Sequence, residues 1–262
     1  MIRSLYTAAT GMGAMQENIN VISNNLANVG TMGFKRSRAE FQDLLYHTMR
    51  MPGTETPAGS QIPTGIQIGM GSKLSAVSKL FSQGDFQQTG NELDMAIQGK
   101  GFFQVLQPDG TTAYTRMGAF RLDSAGQMVT ADGEPMDPPI TIPQDALNVS
   151  ISATGQVSAM QPGQTVATVV GQIEVANFIN PAGLISVGGG LYKETAASGT
   201  PTVGNPGTNE MGQVQQGFIE SSNVNVVEEL TNMILAQRAY ELNSKAITTS
   251  DEMLQTANNT KR

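Results

Sequence analysis

The chain has 262 residues, with 15 basic against 22 acidic side chains and a net charge of -7 at pH 7, so bulk electrostatic attraction to nucleic acid or an anionic membrane surface is disfavoured. It has no cysteine and one histidine, which removes disulfides, thiol nucleophiles and thiolate metal sites. Its apolar runs fall far short of the roughly 20 residues a membrane helix needs, and the N-terminus lacks the unbroken apolar stretch of a cleaved secretory signal.

The first 30 residues carry the clearest periodicity. Leu5, Ala8, Met12, Met15, Ile19, Ile22, Leu26 and Val29 are spaced alternately by 3 and 4, a heptad seam that predicts a helix about 36 Å long. Gly30 is positioned to end it in a left-handed cap. Residues 31–70 read as a connecting segment. It opens with the basic trio Lys35, Arg36 and Arg38, which suits either a solvated face or acidic groups on an adjacent subunit. It continues into a Pro- and Gly-rich arm, Met51 to Gly71, containing Met51, Pro52, Gly53, Pro57, Pro63 and Gly65. Composition leaves open whether that arm is ordered or flexible.

Residues 71–215 change character, with short alternating runs broken by turn pairs at Asp109-Gly110, Ala125-Gly126 and Thr154-Gly155. Successive hairpins predict an antiparallel β domain. Residues 216–262 close the chain with a second helix, capped by Asn225 with Glu228 and Glu229 in its first turn. Its expected seam is Val226, Leu230, Met233, Tyr240, Ile247 and Leu254, interrupted by Gln237, Ser244 and Asp251. The fold class is therefore α+β, a mainly antiparallel β middle domain with N- and C-terminal α-helices forming a coiled-coil domain. Gly11 and Gly13 weaken the first helix by about 1 kcal/mol each, so the termini are expected to be mostly disordered in the monomer and to fold on assembly.

Catalytic chemistry finds little support. His47 is the one residue from which a Ser-His-Asp triad could be built, and no GxSxG context supplies its serine. Glu228 and Glu229 could in principle serve a glycoside hydrolase, but their place in a first helical turn favours capping. The triplets Gly69-Met70-Gly71, Gly99-Lys100-Gly101 and Gly188-Gly189-Gly190 lack phosphate-loop spacing and read as turns or bulges. A secreted peptidoglycan-cleaving enzyme and an adhesin-like binding module remain as readings from other classes, and the terminal seams argue against both.

Three stretches carry a resemblance. Asn24 to Arg36 (NNLANVGTMGFKR), with Asn24, Asn25, Leu26, Asn28, Gly33, Phe34 and Lys35, resembles the N-terminal signature of flagellar rod and hook proteins. Ser82 to Val105 resembles the start of their β domain, and Gln216 to Ile247 resembles their C-terminal signature. Chain length and the Asp43–Gly53 stretch are most similar to members that build the distal rod; hook members are usually longer, and the alternative within the class is another axial protein, a proximal rod subunit or a short hook subunit. The resemblance implies a non-enzymatic subunit with no cofactor, exported by the flagellar type III apparatus without signal cleavage. It implies a homo-oligomeric helical tube that transmits torque and encloses the export channel. Implied partners are proximal rod subunits, hook or hook-junction subunits and the surrounding P and L rings, with no nucleic acid and no direct membrane insertion. The implied place is the periplasm, reaching the outer membrane, with the terminal helices lining the channel and the arm stiffening the tube. Asn24, Asn25 and Asn28 are then expected to hydrogen-bond across subunits.

Overall fold

Both heptad patterns become helices in the computed structural model, which describes residues 2–53, 63–164, 166–208 and 210–259. The chain divides into two units. One comprises Met1–Ala27, Ser37–Ser78 and Asn225–Arg262, and the other Asn28–Arg36 and Lys79–Val224.

The first unit contains α1 (Ile2–Ala27), four strands and the C-terminal helix, which packs against α1. The strands are β1 (Ser37–Asp43), β2 (Tyr46–Arg50), β3 (Ile66–Gly69) and β4 (Ser72–Lys79). β1 pairs with β4 and β2 pairs antiparallel with β3. The described flanks of the Pro- and Gly-rich arm are thus the two sides of a hairpin, because Ile66 and Ile68 alternate with polar residues as a strand requires. Pro57 lies outside the described residues.

The second unit holds β5 (Phe86–Gln88), β6 (Met95–Gln98), β7 (Phe102–Leu106), β8 (Thr112–Thr115), β9 (Arg121–Leu122) and β10 (Met128–Val129). It continues with β11 (Asn148–Ile151), β12 (Gln156–Met160), β13 (Thr168–Gln172), β14 (Val175–Asn177), β15 (Ile185–Gly188) and β16 (Leu191–Lys193). It ends with β17 (Thr202–Gly204), β18 (Gln213–Gln216) and β19 (Phe218–Glu220), after which the chain enters α2 (Val226–Asn259) of the first unit. The three expected hairpin turns join β7 to β8, β9 to β10 and β11 to β12, each pair antiparallel. A six-stranded sheet runs in the order β15-β16-β8-β7-β14-β17, beside the three-stranded β11-β12-β13.

Period-two alternation sorts the side chains of the large sheet onto two cores. Phe103, Val105 and Val175 enter a cluster with Met95, Phe120, Ile140, Val157 and Ile173. Phe102, Tyr114 and Tyr192 face the other way, with Phe178, Leu184 and Phe81, as edge-to-face aromatic pairs.

Two helix ends test the capping arguments. Asn225 Oδ1 accepts hydrogen bonds from the amides of Val227 (3.0 Å) and Glu228 (3.4 Å), as an N-cap should. α1 stops at Ala27, and the left-handed residue beyond it is Gly33 (φ 64°), not the expected Gly30.

Candidate assembly surfaces

In α1 the seam falls as its spacing dictates. Ala8 and Ile22 are buried, Leu5, Met12, Met15, Ile19 and Leu26 are half-buried, and Val29 lies exposed past the helix end. In α2 one heptad row, Met233, Ile247 and Leu254, is half-buried, with Tyr240 more exposed. The second inward row is Glu229, Ala236, Asn243 and Ser250, not the row through Leu230, Gln237, Ser244 and Asp251, and Val226, at the start of the first row, is exposed. Combined, the positions from 229 to 254 alternate by 4 and 3, a complete heptad seam. Small and polar side chains suit it because α1 comes close: a Cβ on Gly11 would sit 3.0 Å from Asn243 Nδ2. Hydrophobicity alone could not find this row. The sevenfold spacing of Glu229, Ala236, Asn243 and Ser250, offset by 4 and 3 from Met233, Ile247 and Leu254, could.

Asn25 is 1 % exposed and its amide is used inside the chain. Nδ2 donates to Ser37 O (2.8 Å) and to Glu229 Oε2 (3.2 Å), while Oδ1 accepts from the Ser37 amide (2.9 Å). This replaces the expected bonding across subunits with a knot joining α1, the start of β1 and the first turn of α2. Asn28 also bonds locally, its Oδ1 accepting from Thr31 Oγ1 at 3.2 Å. Asn24 is exposed.

Lys35 corrects a second expectation. It is 0 % exposed, and its ammonium donates to Glu220 Oε1 (2.6 Å) and Ser82 O (2.8 Å). Arg36 and Arg38 are only partly covered. Glu220, also buried, accepts from the Gly84 amide (2.9 Å) and holds Arg116 Nε at 3.6 Å. Arg116 donates further to the carbonyls of Gly99 and Ile97. Burial pushes the Lys35 ammonium below the usual lysine range, Glu220 opposes that shift, and Arg116 adds to it. Burial likewise lowers Arg116, with Glu220 opposing. Gly33 is required beside this cluster on two counts, its positive φ and the space. A Cβ there would lie 2.8 Å from the Arg116 carbonyl carbon, and its amide donates to Glu220 O at 2.8 Å. Phe34 lies under the Lys79 ammonium, 5.2 Å from its ring centroid.

The same terminal segments match family models. Residues 5–35 match a model described as flagella basal body rod protein, and residues 215–260 one described as flagellar basal body rod FlgEFG protein C-terminal. Residues 96–159 match the flagellar hook protein FlgE/F/G D1 domain. The chain is 52 % identical to the flagellar basal-body rod protein FlgG of Buchnera aphidicola subsp. Schizaphis graminum, over 97 % of this chain and 98 % of that one. It is 48 % identical to the FlgG protein of Borreliella burgdorferi and 43 % identical to that of Bacillus subtilis, each over both whole chains.

The chain belongs to the flagellar basal-body rod protein FlgG family.

Within this family frame, the two buried polar ties each join a residue of the N-terminal model to one of the C-terminal model: Asn25 to Glu229, and Lys35 to Glu220. Large apolar side chains are left open among the polar ones. On α2, Val227, Leu230, Ile234, Leu235 and Leu242 are exposed, Leu242 by 68 %. On the β2–β3 hairpin and directly beside it, Leu45 is 88 % exposed, and Tyr46, Met49, Met51, Ile66 and Ile68 are also exposed. Pro52, Gly53 and Pro63 are exposed and Gly65 is half-buried, at the neck where Arg50 Nη2 donates to Thr64 O (3.4 Å).

His47 is exposed on β2, paired in register with Ile68. Among the described residues there is no group of three or more His, Asp or Glu side chains placed to hold a metal ion. No described helix is long and apolar enough to cross a membrane. In the second unit, a cavity of about 440 Å³ opens over the aromatic cluster, lined by Phe81, Phe102, Phe178 and Arg116. Gly188, Gly189 and Gly190 all have positive φ and sit at a register shift and turn between β15 and β16, a bulge as expected.

Proposed function

We propose that the chain is a non-enzymatic structural subunit of the distal rod, self-assembling into a rigid helical tube that transmits torque from motor to hook and encloses the export channel. The observation that carries this reading is the pairing of α1 with α2 along a seam that mixes apolar with small and polar residues, while Val227, Leu230, Ile234, Leu235 and Leu242 of α2 stay exposed. A cluster of exposed apolar side chains marks an interaction surface, and in a homopolymer further copies of the chain cover it. Relatives named as basal-body rod proteins along the whole chain support assembly within the basal body.

On this reading residues 1–30 and 216–262 make the assembly domain, 31–70 the arm-bearing segment and 71–215 the outer β domain. The seam residues that remain open, Val29, Val226, Leu230 and Tyr240, meet neighbouring copies as the terminal helices complete their ordering. The arm from Met51 to Gly71 lies along adjacent subunits and resists bending. Proximal rod subunits adjoin one end of the tube and hook or hook-junction subunits the other, with the P and L rings around it in the periplasm and outer membrane.

The test is deletion of the gene followed by electron microscopy of isolated basal bodies. Arrest after a short proximal rod, without hook or outer rings, supports the proposal. A complete rod lacking only the hook would overturn the distal assignment, and an intact flagellum would overturn the reading altogether.

A further inference from the structure

Four covalent connections join the two units, at 27/28, 36/37, 78/79 and 224/225. Three passages of the second unit lead to them, and polar groups fasten all three together. Lys35 in the first passage reaches Ser82 O in the second and Glu220 in the third. Asn223 in the third accepts from the Arg36 amide (2.7 Å) and donates to Leu80 O (2.8 Å) and Ser82 Oγ (2.9 Å). Backbone bonds add Gly33 N to Glu220 O and Leu80 N to Arg36 O, both 2.8 Å.

We propose that Lys35, Glu220 and Asn223 act as positioning residues in a mechanical tie that makes these passages carry load as one bundle. The proposal rests on the reading of the chain as a torque-transmitting subunit. Force entering through separate strands opens their bonds one after another, whereas cross-linked strands must break many bonds together. Buried charges are an expensive way to build such a link, since an apolar cluster of the same volume would stabilise the fold equally well. What the charges add is direction: each donor has a fixed acceptor on another passage.

The charge count makes the tie separable from folding. Lys35 and Arg116 share the single carboxylate of Glu220, so the cluster holds two cations and one anion. Lys35→Met leaves Glu220 and Arg116 balanced and fills the volume. Glu220→Gln leaves two buried cations without a counter-charge.

The first experiment is amide exchange on the full-length chain. In Lys35→Met the amides of Gly33, Arg36 and Leu80 should exchange at least tenfold faster, while those of Phe103 and Val105 in the core keep their wild-type rates. In Glu220→Gln the core amides should accelerate too. Unchanged junction amides in Lys35→Met, or equal acceleration of core and junction, would overturn the proposal. The second is swimming of cells carrying Lys35→Met in media of rising viscosity. Normal rod and hook numbers with arrest at a lower viscosity than wild type are expected; the same arrest point, or failure to assemble rods, would overturn the load role. If the wild-type gene itself failed to restore rods in the deletion strain, the rod assignment would fall, while the exchange result would still judge the tie.

Discussion

Replacing Asn25 by Ala removes three hydrogen bonds from a site that is 1 % exposed. Two are to the backbone of Ser37, each about 1 kcal/mol, and one is to the Glu229 carboxylate, about 2 kcal/mol because the acceptor is charged. Water entering the small void recovers part of this, so the loss should be about 3 kcal/mol. Urea unfolding of the full-length chain, followed by the helical circular dichroism signal, measures it. A loss below about 1 kcal/mol would mean that the amide is replaceable by solvent and that the knot joining α1, β1 and α2 has been overvalued. Asn25→Asp sharpens the test by placing a second carboxylate against Glu229. At pH 7 it should be at least as damaging as Ala. Acidification should restore part of the stability, because the folded pair binds a proton more tightly than the unfolded chain. The gain is therefore present at low pH and lost as pH rises through the raised folded value. A pH-independent deficit would refute the electrostatic part of the argument.

Gly33→Ala should destabilise the second unit by about 2 kcal/mol or more, from the left-handed backbone and the collision with the Arg116 carbonyl, while Gly13→Ala, with open space around it, should leave stability unchanged or raise it by up to about 1 kcal/mol; thermal melts compare the two. Burial raises the Tyr192 phenol to about 12, with Arg116 opposing and Glu220 adding. Ultraviolet titration should therefore show a final ionisation near that pH that Tyr192→Phe removes, and stability should fall as pH climbs from the ordinary tyrosine range through that value. Deleting residues 52–68 should give rods of lower bending stiffness in electron micrographs, with the β unit's melting temperature unchanged; rods as straight as wild type would count against the arm's stiffening role.

The sequence made the helices, their N-cap and the three hairpins legible because each depends on neighbours within a few residues. Spacing of 3 and 4 predicted α1, and the turn pairs fixed β7 to β12 in order. The inner row of α2 was hidden because Glu229, Ala236, Asn243 and Ser250 are not apolar, so a search for greasy positions settled on Val226 and Leu230, which are exposed. Lys35 misled for the opposite reason. Flanked by Arg36 and Arg38 it looked like part of a charged surface, and its partner Glu220 is 185 positions away. The hairpin flanking the arm was also masked, since its strands are separated by a stretch rich in Pro and Gly.

The face that α2 turns inward is of mixed polarity. A helix on a globular surface normally turns its oily side in and its polar side out, and here Glu229, Ala236, Asn243 and Ser250 share the inward side with Met233, Ile247 and Leu254 while Val227, Ile234, Leu235 and Leu242 face out. Such a molecule is never quite finished by its own folding. Free in solution it carries an adhesive strip that any hydrophobic surface can claim, so the time a subunit spends alone, and its concentration while alone, become part of its chemistry. In the proposed tube, where copies would stand side by side, the same strip would hold them there.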